Sequence, residues 1–174
     1  NVSLGQLTDL KPVAPVTPST TPRSIFKNSA LYLYYYDGRF KKLARGYLQI
    51  YHESQTNENR AVLYLDLNSF SNYTKCRILY SGQVFIHDSV VNFQLSNQAN
   101  GIERMNITAL NPIINKETVT ALLSGISDKP FMPISFKCLI ASYPLPEDED
   151  LISKLTISRE DIKIMKKYNS FTCD

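Results

Sequence analysis

The chain has 174 residues, long enough for one domain with a sizeable core and some additional chain. A hydrophobic content of 43%, a charged content of 20% and a net charge of +3 are ordinary for a globular protein and identify no particular partner. No apolar run approaches the roughly 20 residues that a membrane-spanning helix needs. The 11 tyrosines, 8 phenylalanines and numerous Ile, Val and Thr favour a mainly β protein.

The first 24 residues, which end in KPVAPVTPSTTPRS, are rich in Pro, Thr, Ser and Val and follow neither a helical nor a strand period. Such a composition predicts an extended or disordered tether. A second interpretation stays open, in which Leu10, Val13 and Val16 anchor this segment in a groove.

From residue 25 onward, short strand patterns alternate with turn signals such as Asp37-Gly38. The turns recur about every 8–12 residues, a spacing typical of an antiparallel barrel or sandwich. The patterns predict seven strands, at residues 30–36, 44–53, 61–67, 74–80, 83–87, 90–96 and 102–110.

The hydrophobic period then changes in the segment NKETVTALLSGIS, residues 115–127. Its apolar side chains recur with the spacing of one helical face, and Asn115 suits the N-cap of that helix. The residues on this face are Val119, Leu122, Leu123 and Ile126. A helix with a single apolar stripe has to bury it, so we expect it to cap the curved sheet.

Residues 128–174 are expected to form a C-terminal extension packed on the domain. The apolar segment that ends at Tyr143 predicts a strand beginning after Pro133. The acidic residues 147–150 favour the start of a short helix, and Ser158 with Asp161 predicts a capping arrangement for a second one.

Residues suited to catalysis or metal binding are sparse and separated. Neither His52 nor His87 has a second ligand at metal-binding spacing, and Cys138 lies in an apolar run. The isolated glycines provide no phosphate-binding loop. We therefore expect a non-enzymatic protein without cofactor or metal. The three cysteines, an odd number without CxxC pairing, favour a reducing, intracellular compartment.

The stretch ALYLYYYDGRFKKLARGYLQIY, residues 30–51, resembles the first hairpin of Ran-binding and EVH1-type members of the pleckstrin-homology superfold. In that hairpin an aromatic strand is followed by an Asp turn, a basic segment and a Gly-x-Leu-x-Ile strand, here Gly46, Leu48 and Ile50. The resemblance covers residues 25–127. It implies a mainly β fold, a bent seven-stranded antiparallel barrel or sandwich capped by one helix.

This hairpin also carries the candidate binding residues, which are Tyr34, Tyr36, Arg39, Lys41, Lys42 and Arg45. Three interpretations of its four cations stay open. The cations solubilise the hairpin, bind an inositol phosphate as in lipid-binding members of the superfold, or bind an acidic protein.

The leading hypothesis is an intracellular, non-catalytic scaffold or adaptor that binds a segment of a partner protein along a sheet edge or beside the helix. One alternative is a phosphoinositide-binding domain that targets membranes. Another is an extracellular or viral surface β-sandwich, suggested by sequons at Asn1, Asn72 and Asn106, which predicts a Cys76–Cys138 disulfide. Nucleic acid is the least favoured partner because the basic residues are scattered.

Overall fold

The computed structural model describes residues 24–112, 116–128 and 130–172, in which eight antiparallel strands close into one barrel. Each strand pairs with its neighbours in sequence, and the last strand pairs with the first. The predicted β-barrel is confirmed, although it has eight strands rather than seven. The strands are β1 (Ala30–Asp37), β2 (Lys42–Glu53), β3 (Glu58–Leu65), β4 (Ile78–Ile86), β5 (Val90–Asn97), β6 (Arg104–Leu110), β7 (Thr118–Asp128) and β8 (Phe131–Ala141).

Strand alternation sends every second side chain into the barrel, where these side chains form the main core. On β1 the inward residues include Leu31 and Leu33, which are fully buried. A 3₁₀ helix, Ile25–Lys27, precedes β1, and its Phe26 ring enters the same core at 6.0 Å from the ring of Phe93. The core therefore lies inside the closed sheet.

The segment predicted as the capping helix is strand β7, so that prediction is wrong. It pairs with β8 at eleven positions and with β6 at four. Val119, Ala121 and Leu123 are buried inside the barrel, whereas Ile126 is exposed. The inward-facing positions of β7 include small residues such as Gly125, so its apolar side chains do not show the two-residue period expected of a strand. The predicted N-cap, Asn115, lies outside the described residues.

The observed element order also differs from the one on which the pleckstrin-homology resemblance rested, which was seven strands and then a capping helix. The first hairpin of that resemblance is present as β1 and β2. Membership of the superfold stays a prediction.

The predicted fourth and fifth strands are one continuous strand, β4, so the turn expected between them is wrong. At Gly82 an added Cβ would lie 1.9 Å from the backbone carbonyl oxygen of Gln94 on β5. Glycine here permits a close approach of the two backbones rather than a turn. The beginning of the predicted fourth strand belongs instead to a 3₁₀ segment, Phe70–Lys75.

Strand β8 begins before Pro133, and the prediction that it begins after the proline is wrong. Because β1 pairs with β8 only over the range 138–141, the earlier part of β8 has a neighbouring strand on one side alone. A proline is tolerated at such a locally unpaired edge. The predicted domain boundary at residue 128 thus falls between two barrel strands.

Two C-terminal helices follow the barrel, as predicted. Helix α1 (Glu149–Leu155) buries Leu151 and Leu155 against the outer face of β1. Helix α2 (Arg159–Tyr168) begins with a capping box in which Ser158 and Asp161 exchange hydrogen bonds, which confirms the predicted cap. No helix of the described ranges is long and apolar enough to span a membrane.

A second layer of aromatic residues covers the outside of β2 and β3. Tyr73, from the connection between β3 and β4, packs its ring 4.4 Å from that of Tyr47 and 4.9 Å from that of Tyr64. Cys76 belongs to this outer cluster, whereas Cys138 lies inside the barrel. The two thiols lie on opposite sides of the barrel wall, so the predicted disulfide between them is wrong.

The closed barrel also changes the expected mode of partner binding. Every strand has a neighbour on both sides over at least part of its length. Addition of a partner strand is therefore restricted to locally unpaired edges, such as that of β8 over residues 131–137. The structure is likewise a barrel and not the two-layered sandwich of the extracellular alternative.

Candidate ligand-binding site

The connections β1–β2, β3–β4, β5–β6 and β7–β8 all lie at one end of the barrel, which we call the mouth. A cavity of about 710 Å³ opens there between the strand ends. Its size falls within the roughly 300–1,000 Å³ typical of small-molecule pockets. A surface groove of about 900 Å³ lies near Ser24 and Pro112, and none of the predicted binding residues lines it.

The walls of the cavity are mainly apolar. The deeper wall residues come from five different strands, and they are Leu65, Ile78, Met105, Leu123, Ile134 and Phe136. Ile102 and Phe131 lie at the rim and are 83% and 84% exposed. The mouth therefore offers an apolar interior with an apolar entrance.

One side of the cavity carries a fixed polar group centred on Glu103. Its carboxylate accepts a hydrogen bond of 2.6 Å from the Tyr80 hydroxyl and one of 2.8 Å from the side-chain amide of Asn97. Burial and the hydrogen bond to Glu103 raise the pKa of Tyr80, so this hydroxyl stays protonated. Mutual hydrogen bonds thus orient all three side chains.

Tyr35 carries a different kind of polar group. Its ring packs on Phe136 at 4.7 Å and its side chain lines the cavity. Within the described ranges its hydroxyl has no hydrogen-bond partner. Burial, reinforced by the carboxylates of Asp37 and Asp66, raises the pKa of Tyr35 to about 12. The hydroxyl is therefore a neutral donor on a side chain that lines the cavity.

Arg39 crosses the mouth from the first hairpin. It forms an ion pair of 2.6 Å with Asp37 and donates a hydrogen bond to the Ser127 hydroxyl near the end of β7. Its guanidinium lies 5.4 Å from the ring centroid of Phe40 and 5.6 Å from that of Phe136. Burial acts to raise the pKa of Asp37, but the hydrogen bonds from Arg39 outweigh it and the pKa is lowered.

The other predicted cations do not converge on this site. Lys42 forms an ion pair of 2.5 Å with Asp66, which also accepts Arg77 at 3.0 Å. Lys41 closes the hairpin turn with a left-handed backbone (φ +49°), is exposed, and has no ion pair in the described part of the chain.

Arg45 lies farther along β2 and pairs with both carboxylate oxygens of Glu147, whose hydrogen bond raises the pKa of Arg45. Three of the four cations are thus matched by carboxylates of the protein itself. This arrangement does not favour a convergent phosphate site in the hairpin.

Tyr34 and Tyr36 are on the outer face of β1 and do not reach the mouth. Tyr34 is fully buried, and its hydroxyl accepts a 2.9 Å hydrogen bond from the backbone N–H of Leu145. The sequence-based choice of binding residues therefore missed Tyr35. Strand alternation was a usable signal for it, because Tyr35 shares the inward face with Leu33.

The described ranges contain no cluster of three or more His, Cys, Asp or Glu side chains placed to hold a metal ion. Comparison of the chain with protein-family models, curated proteins and solved structures gives no match. A functional proposal has to rest on the site itself.

Proposed function

We propose that this protein binds a small, largely apolar molecule in the mouth of its barrel. The observation that carries the proposal is the cavity of about 710 Å³, which combines apolar walls with a polar group that lacks a partner among the described residues, the Tyr35 hydroxyl. A few placed polar groups in an apolar cavity are the usual composition of a ligand pocket. The interior of an eight-stranded barrel is either filled by side chains or holds one small ligand, and here the side-chain core leaves a cavity at the mouth.

The expected affinity is moderate. Drug-sized ligands gain about 0.3 kcal/mol per non-hydrogen atom. A ligand of about 20–25 such atoms would then bind with roughly 6–8 kcal/mol, which corresponds to a Kd on the order of 1–40 μM. Binding in this range is accessible to fluorescence titration.

The test is a titration with the apolar fluorophore N-phenyl-1-naphthylamine. Ile134 lines the cavity, whereas the neighbouring Ser135 is exposed on the outside of β8. We expect saturable binding to the wild type, at least a tenfold loss in Ile134→Trp, which fills the cavity, and no change in Ser135→Trp. Circular dichroism checks that both variants fold.

Two results would count against the proposal. The wild type would show no saturable binding of this fluorophore, or Ile134→Trp would bind it as tightly as the wild type does. The second result would place the fluorophore elsewhere on the protein.

The partner-protein hypothesis has its own supporting observation at the same place. Phe131, Ile102 and Phe40 are all more than 60% exposed and surround or adjoin the mouth, and clustered exposed apolar side chains are typical of interaction surfaces. In this second candidate function, a partner inserts an apolar side chain into the cavity. Phe40→Ser would then weaken association with the partner in cross-linking while leaving titration with the small fluorophore nearly unchanged, because Phe40 does not line the cavity.

A further inference from the structure

We infer that the ligand of the mouth is an uncharged apolar molecule that presents one hydrogen-bond acceptor, a carbonyl or ether oxygen, to the hydroxyl of Tyr35. The inference rests on the proposed function and deepens it by specifying the chemical class of the ligand. Three features of the cavity support it, and they concern the donor, the surrounding charges and the other polar groups.

The donor is held in place by packing. Tyr35 belongs to the inward row of β1, and its ring lies against Phe136 with a centroid distance of 4.7 Å and an interplanar angle of 40°. Its hydroxyl has no partner in the described part of the chain, and its side chain lines a cavity with mainly apolar walls. A ligand that fills this cavity displaces water from the hydroxyl and has to supply an acceptor in its place.

The charges around the hydroxyl disfavour a charged ligand of either sign. The carboxylates of Asp37 and Asp66 act on Tyr35, and that of Glu103 lines the same cavity, so an anionic head group would be repelled. The Arg39 guanidinium also lines the cavity but is already paired with Asp37, and a charged head group of either sign would lose its hydration against the mainly apolar walls. Both Arg39 and Glu103 already hold partners within the protein. A neutral ligand avoids this cost.

The other buried or half-buried polar groups of the cavity are already engaged, whereas Asn100 and Arg104 are exposed to solvent. Tyr80 and Asn97 both donate to Glu103, and Ser127 accepts a hydrogen bond from Arg39. Tyr35 is therefore the group whose hydrogen bonding a ligand completes. One acceptor on an otherwise apolar molecule matches this single donor.

The experiment compares two compounds of nearly the same shape, 2-acetylnaphthalene and 2-ethylnaphthalene, which differ in one carbonyl oxygen. Each compound competes with N-phenyl-1-naphthylamine for the wild type, for Tyr35→Phe and for Tyr36→Phe. Tyr36 is the matched control because it is the next tyrosine of β1 and belongs to the outer face. 2-Naphthoate serves as the anionic analogue.

We expect the wild type to bind the ketone roughly 3–10-fold more tightly than the hydrocarbon, the factor typical of one neutral hydrogen bond. This preference should persist in Tyr36→Phe and disappear in Tyr35→Phe, mainly through weaker binding of the ketone. The naphthoate should bind more weakly than the ketone to all three proteins.

Failure of the inference is distinguishable from failure of the proposed function. If both compounds bind the wild type equally, or if Tyr35→Phe keeps the preference for the ketone, the ligand class is wrong while the cavity remains a binding site. Tighter binding of the naphthoate than of the ketone overturns the assignment of a neutral ligand. If neither the fluorophore nor any of the three compounds binds, the proposed function fails as well.

Discussion

Replacing Tyr34 with phenylalanine removes one oxygen atom from the outer layer of the barrel and leaves the ring in place. The oxygen accepts a 2.9 Å hydrogen bond from the backbone N–H of Leu145, in the segment that joins β8 to helix α1. Without it, this partly buried N–H loses its acceptor, and an unsatisfied buried donor costs about 1–3 kcal/mol. Because Leu145 is only half-buried and water can partly compensate, we expect Tyr34→Phe to lower the free energy of unfolding by about 1–2 kcal/mol.

The same substitution at Tyr36 provides the control. Tyr36 is half-buried in the same outer cluster, and its hydroxyl has no hydrogen bond within the described ranges. Tyr36→Phe should therefore change the free energy of unfolding by less than about 0.5 kcal/mol.

Urea unfolding followed by circular dichroism measures both variants, and thermal unfolding gives a second value. For a chain of this size, 1 kcal/mol shifts Tm by about 2–4 °C. The expected loss in Tyr34→Phe is thus roughly 2–8 °C. Equal stabilities of the two variants, or a wild-type Tm in Tyr34→Phe, would refute the structural role assigned to the Tyr34 hydroxyl.

Three further predictions concern the barrel and its mouth. Gly82→Ala should destabilise the protein by about 1–3 kcal/mol or more in urea unfolding, because the added Cβ would lie 1.9 Å from a backbone oxygen. Gly38→Ala, whose Cβ would have nothing within 4 Å, should be neutral, and equal effects of the two substitutions would contradict this account. Phe26→Ala should cost about 3–5 kcal/mol because it empties a fully buried site in the core, and a loss below about 1 kcal/mol in the same assay would show that the 3₁₀ helix does not pack there. The pKa of Asp37 is lower in the folded state, so its ionised form stabilises the protein above the unfolded pKa of about 3.9, and this contribution is lost as the pH falls through the folded value. Asp37→Asn should therefore weaken the dependence of the free energy of unfolding on pH below about pH 4. An unchanged dependence would exclude a contribution from the ion pair with Arg39.

Much of the barrel was predictable because local signals and tertiary structure agree there. The aromatic and aliphatic residues of β1 and β2 favour strands, and Asp37-Gly38 marks the turn between them. The cap at Ser158 was predictable for the same reason, since a capping box depends only on residues within one helical turn.

The candidate site was only partly predictable. The hairpin with Arg39 does contribute to the mouth, but Tyr35 was passed over in favour of its outward-facing neighbours. The sequence also does not show that Lys42 and Arg45 meet Asp66 and Glu147. These partners are distant along the chain, so the pairing depends on how β2 is placed beside the rest of the fold.

The sequence by itself determined a β-rich chain, its first hairpin and its two C-terminal helices, because alternation, turn residues and caps act over a few neighbouring positions. The tertiary structure decided the secondary structure of residues 118–128, whose apolar residues fit the stripe of a helix as well as a strand. Hydrogen bonds to β6 and β8, formed only when the barrel closes, give this segment its extended conformation. The same closure creates the mouth, since its walls come from strands that meet only in the folded barrel.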